Sequence, residues 1–156
     1  EGQGDNIATT PPLAVGAGAF TVTFTQTYTF ETSLTMQYFD GGRLEISTDG
    51  ENFTAVPGSA LTPTYNATIA PPNNPLAGEQ AYGGQVASAQ TVTADFGTQY
   101  ANRTVWLRWH IGADAASGRY VFSPARLFAI GRLRARMGAC IGSMRGGASC
   151  RRCATD

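Results

Sequence analysis

Lysine is absent from this chain, and only 14% of its 156 residues carry a charge. Cysteine is absent from residues 1–139, since Cys140, Cys150 and Cys153 all lie near the C-terminus. An odd count confined to one end is not a disulfide framework. No apolar run approaches the length needed to cross a bilayer, so no transmembrane segment is expected. Histidine occurs once, at His110. A Ser-His-Asp arrangement needs a base beside a nucleophile, and no Gly-x-Ser-x-Gly element accompanies this histidine. No convincing helical period appears before residue 118. These absences argue against an enzyme and against a helical domain.

The net charge of zero conceals two unlike parts. Ten acids against three arginines give residues 1–118 a charge of −7, whereas eight arginines and Asp156 give residues 119–156 a charge of +7. The arginine run could grip phosphate, but it lacks interleaved aromatics, so no specific nucleic-acid partner is expected. Its Cys150-Arg151-Arg152-Cys153 spacing, without a second pair or a histidine, is weak evidence for zinc.

Against that background one pattern stands out. From Thr21 to Phe30 the chain alternates strictly, with Val22, Phe24, Gln26, Tyr28 and Phe30 on one face and threonines on the other. A period of two in β-branched and aromatic residues predicts a half-buried antiparallel strand. Asp40-Gly41-Gly42 reads as a turn, because glycine tolerates positive φ. A short strand follows, with Leu44 and Ile46 inward and Glu45 and Ser47 outward. Asp49-Gly50 reads as a hairpin turn leading to Phe53 and Val56. Five prolines between Pro57 and Gly84 predict a long excursion rather than ladder strands. Two strands end the pattern: Thr91–Phe96, with Val92, Ala94 and Phe96 inward, and Thr104–Ile111, with Val105, Leu107, Trp109 and Ile111 inward. The expected fold is all-β, an antiparallel β-sandwich of the jelly-roll kind. Residues 1–15 form a lead-in, 16–122 the sandwich, and 123–156 an irregular Arg-rich tail that is expected to be disordered or spurious.

Several motifs, in order, resemble a jelly-roll accessory domain of large exported bacterial proteins, of the immune inhibitor A type and MAM-like in style. They are Tyr28-Thr29-Phe30-Glu31, the Tyr38–Gly50 segment with Asp40-Gly41-Gly42 and Asp49-Gly50, Asn74–Gly78, Ala81–Gly84, and Val105–Trp109 running into Gly112-Ala113-Asp114. The resemblance covers residues 10–118 and implies a non-catalytic module, sometimes ion-stabilised, that is joined to other domains. The family's closing Gly-Trp-x-Ile-Asp-Asp-Val-like strand is replaced here by Arg119-Tyr120-Val121-Phe122. That departure, in a lysine-free and GC-rich style of composition, reads as a reading-frame slip near residue 119.

Two groups of residues are candidate sites. Glu31, Asp40 and Asp114 sit at strand ends or in glycine-flanked loops, where carboxylates and free carbonyls could hold calcium. The competing reading is that Asp40 and Asp114 accept backbone N–H bonds in tight turns. Trp106, with Tyr82 or Tyr65, could form an aromatic platform for a sugar ring; the competing reading packs these rings beneath the Pro-rich excursion. The sequons at Asn52, Asn66 and Asn102 matter only in a eukaryotic secretory pathway. Threonine, serine, glycine, asparagine and glutamine at solvent-facing positions point to an extracellular or cell-surface location. The expected function is a non-catalytic accessory and interaction module whose partners are neighbouring domains of the same exported protein. The alternative is a carbohydrate-binding module for glycans.

Overall fold

A computed structural model describes residues 4–114 and 128–130. The Arg-rich segment around residue 132, the three cysteines, the expected domain boundary at 122 and the supposed frame slip near 119 lie outside the described residues. Within the span expected to be irregular, Phe128–Ile130 forms a short strand.

The chain builds β1 (Gly4–Thr9), β2 (Leu13–Ala14), β3 (Thr21–Thr29), β4 (Gly41–Ser47) and β5 (Thr54–Ala55). After a 3₁₀ turn at Gly58–Ala60 come β6 (Leu61–Thr62), β7 (Ala67–Thr68), β8 (Gln80–Ala81), β9 (Gln85–Asp95), β10 (Thr104–Ala113) and β11 (Phe128–Ile130). One sheet runs β1-β10-β4-β5, with β2 also on β10; the second runs β11-β3-β9-β6, and β7-β8 form a separate pair. All these pairings are antiparallel. The chain passes from the second sheet to the first between β3 and β4, and again between β9 and β10. The result is the antiparallel β-sandwich that the alternation of hydrophobic residues predicts.

The inward faces close one core. Val22, Phe24 and Tyr28 of β3 and Val92 and Ala94 of β9 meet Leu44 and Ile46 of β4 and Val105, Leu107 and Trp109 of β10. Phe24 meets Trp109 edge-on with ring centroids 5.4 Å apart. Gln26 is the polar exception in this layer; it is buried, and its amide donates to Gln90 Oε1 at 3.0 Å.

Two local expectations need correction. Gly41 and Gly42 are strand residues at the start of β4, and positive φ is not what requires them. A Cβ on Gly41 would stand 2.6 Å from Ile69 Cδ1 and 2.9 Å from the Tyr82 carbonyl oxygen, so close approach of the Pro-rich excursion excludes a side chain there. The excursion itself is not devoid of ladder: β6 adds to β9, and β7 pairs β8. It also carries a small core of its own from Ile69, Leu76 and Ala81, with Tyr38 against it. Gly50, by contrast, has φ +80° and turns β4 into β5 as expected.

Candidate functional site

The three acids do come together, at the root of a hairpin arm that leaves the sandwich after β3. Asp40 is fully buried and uses both carboxylate oxygens on the backbone: Glu31 N–H donates to Oδ2 (3.2 Å) and Asp114 N–H to Oδ1 (3.0 Å). Asp40 thus ties the end of β3 to the end of β10. Burial, with the negative charges of Asp40 and Asp114, raises the pKa of Glu31 above the ordinary glutamate value. Glu31 Oε2 is enclosed without a hydrogen-bond partner. The donor set is therefore anionic and all-oxygen, as a hard cation requires. It fits only in part, because Asp40 is committed to N–H groups. Among the described residues no set of three or more His, Cys, Asp or Glu side chains converges as a metal-ligating group.

The aromatic trio is not brought together. Tyr65 and Tyr82 pack edge-on inside the sandwich, their centroids 4.9 Å apart. Tyr82 O–H donates to the Pro63 carbonyl (2.7 Å), and Tyr65 O–H donates to the Leu44 carbonyl (3.2 Å). Burial pushes both phenols up. Trp106 belongs to the opposite, outward face of the β1-β10-β4-β5 sheet, where its ring lies over Gly50. The Pro-rich excursion accounts for the two tyrosines, and Trp106 stands apart from them.

That outward face holds the densest chemistry among the described residues. β4 and β10 pair in the register Arg43↔His110 and Glu45↔Arg108, so four polar side chains share one patch. Glu45 is the hub, with its side chain only 1% exposed. It accepts from Arg43 Nε at Oε1 (2.7 Å) and from Arg108 through both Nε and Nη at Oε2, while His110 Nδ1 lies 3.0 Å from Oε1. Arg43 continues to Glu79 (3.0 Å). His110 Nε2 is 2.8 Å from Asp5 Oδ1 of β1, ion-pair distance without hydrogen-bond alignment. The Arg108 guanidinium also stacks on Phe53, 4.2 Å from the ring centroid. Burial alone would raise the Glu45 pKa; hydrogen bonds from His110, Arg43 and Arg108 outweigh it and bring the value down to about 2.

Strand alternation puts Glu45 outward and, by setting Leu107 and Trp109 inward, leaves Arg108 and His110 on the outward side, but it does not show them as a network. The signal was present as alternation in two strands. What alternation lacks is register, which decides whether same-face residues of different strands touch.

Compared with protein-family models, with curated proteins and with solved structures, the chain matches none, and the likeness drawn from residues 10–118 stays a resemblance.

Proposed function

We propose that this chain is a non-catalytic interaction module of an exported or cell-surface protein, which packs against neighbouring domains through projecting apolar side chains. The observation that carries the reading is the hairpin arm between β3 and β4. Phe39 N–H donates to the Glu31 carbonyl (3.2 Å) and Ser33 N–H to the Gln37 carbonyl (2.9 Å), closing the arm. Ser33 Oγ accepts from the N–H groups of Thr35 and Gln37 (3.2 and 3.0 Å), which fixes the tip. On that fixed tip Leu34 is fully exposed and Met36, at φ 60°, is mostly so. Two apolar side chains on one braced tip, Leu34 and Met36, with Met36 held at a non-glycine positive φ, support a contact surface there.

The test compares amide chemical shifts of this domain alone and joined to the domain that adjoins it in the full protein. Changes concentrated at Ser33–Gln37 are expected; changes confined to the linker would overturn the reading.

The alternative, a carbohydrate-binding module, draws support from Trp106, which lies half-exposed on a sheet face beside Arg108. A single indole can stack one sugar ring. A glycan array checks it, with Trp106→Ala expected to abolish any signal. Calcium at Glu31, Asp40 and Asp114 belongs to the same proposal, because a cation would relieve the like-charge repulsion on Glu31.

A further inference from the structure

β1 is the outermost strand of its sheet, paired on one side only, to β10, among the described residues. Which backbone groups face the other side follows from one bond. Thr10 N–H donates to the Leu107 carbonyl (2.9 Å), next along the ladder from the Thr9↔Arg108 pair. In an antiparallel ladder, hydrogen-bonded and non-hydrogen-bonded pairs alternate. Ala8, Asn6 and Gly4 therefore direct their N–H and C=O groups at β10, in phase with the Thr10 N–H, while Leu107 N–H donates to Thr10 Oγ1 (3.0 Å). Asp5, Ile7 and Thr9 direct theirs at the open edge. The side chains of these same three residues are exposed on the outward face, and Ile7, at 44%, is among the few large hydrophobics left exposed.

Natural sheets blunt such edges with lysine, proline, bulges or a covering loop. Residues 4–9 contain no lysine and no proline, and their one charge, Asp5, is exposed with Oδ1 2.8 Å from His110 Nε2. The first proline arrives at Pro11, beyond the strand.

We infer that the open edge of β1 is a self-association surface, and that its partner is β1 of a second copy of this chain, joined antiparallel about a two-fold axis through Ile7. Charge and backbone phase select that register. Centred on Ile7, Asp5 faces Thr9, Ile7 faces Ile7 and Thr9 faces Asp5, so each edge-directed residue opposes another and exchanges both N–H···O bonds. A carboxylate then meets a hydroxyl, and an isoleucine meets its own mate on the outward face. Centring on Asp5 would oppose two carboxylates. Centring on Thr9 would set Ile7 against Pro11, which has no N–H to give. Displacing the axis to Asn6 or Ala8 leaves one edge-directed residue of β1 without a partner from β1. The arrangement is isologous and closed, so it ends at a dimer and does not propagate to a fibre. Two six-residue strands bury well under the roughly 1,200–2,000 Å² of a stable interface, so the dimer is weak and depends on concentration.

Sedimentation velocity across a hundredfold range of protein concentration tests this. The full chain should shift from monomer to dimer as concentration rises. Ile7→Lys sets two like charges on the axis, and Ile7→Pro deletes an edge donor without touching the β10 ladder; both should remain monomeric throughout. Their melting temperatures, compared with the parent's, show that the monomer is intact. Thr23→Lys, on the outward face of the other sheet, should dimerise like the parent. A parent that stays monomeric at the highest concentration, or a dimer that survives Ile7→Lys in a folded protein, would overturn the inference. Larger assemblies in place of a dimer would do the same.

Discussion

On the four-stranded sheet, the outward face sets threonine against threonine: Thr23 opposite Thr93 and Thr25 opposite Thr91, with the Thr23 and Thr93 hydroxyls 3.5 Å apart. On the five-stranded sheet the corresponding face gathers Arg43, Glu45, Arg108, His110 and Asp5 around one buried carboxylate. Both faces cover the same core. A threonine ladder satisfies a pleated surface residue by residue, with a β-branched methyl for packing and a hydroxyl for water. Loss of one member leaves its neighbours as they were. A charge network is different: Glu45 has given up its hydration, and three cationic or hydrogen-bonding partners stand in for water. Removing the hub takes a partner from all three at once, and Arg108 keeps no other carboxylate among the described residues.

The contrast can be broken from either side. Glu45→Ala should cost about 3–5 kcal/mol, because it takes from the partly buried Arg108 its carboxylate partner and leaves Arg43, among the described residues, with only the exposed Glu79; chemical denaturation measures it. Leu107→Ala on the inward face of the neighbouring strand should cost about 2–5 kcal/mol through lost burial and the cavity left behind. The network would then rival the core, position for position. At the other acid cluster the sign should reverse. The Glu31 pKa is raised, so its ionised form opposes folding, and stability from this group is gained as pH falls toward that value. Glu31→Gln should therefore raise the melting temperature slightly in EDTA. Millimolar Ca²⁺ should raise the parent by several degrees and Glu31→Gln by less, since an ion that binds only the native state stabilises it by mass action. Identical parent melting curves in EDTA and Ca²⁺ would remove calcium from the account. Smallest of all, Thr25→Ala should change stability by about 0.5 kcal/mol or less.

How much of this was readable from sequence varied with the kind of signal. The run from Thr21 to Phe30 gave β3 and its buried face directly, because period-two alternation needs no partner to be recognised. Phe24, Tyr28, Leu44, Ile46, Leu107 and Trp109 were expected as one core and are buried as one cluster. Gly41-Gly42 misled because glycine signals both turns and close backbone approach, and only the position of Ile69 and Tyr82 separates the two. The two-residue strands β6, β7 and β8 are too short to show a period, and the prolines of the segments around them argued against them. Tyr65 and Tyr82 could have been a platform or a core pair; nothing local distinguishes the outcomes, since the Leu44 and Pro63 carbonyls they bond lie 21 and 19 residues away. Glu45 was placed on its correct face, but its burial depended on a strand 63 residues further on.

The Glu45 hub is tested most directly by acid titration of stability in the parent and in Glu45→Gln. In the folded chain Glu45 titrates at about 2, against 4.5 for an ordinary glutamate, so the unfolded chain binds this proton more tightly. The stabilisation is present in full above pH 4.5 and drains away as pH falls toward 2, on the order of 3 kcal/mol in all. Urea midpoints between pH 7 and pH 2.5 should start well apart, with the parent higher, and converge across that window as the parent loses what the variant never had. Two curves that stay parallel across the window would show that Glu45 holds no such network together.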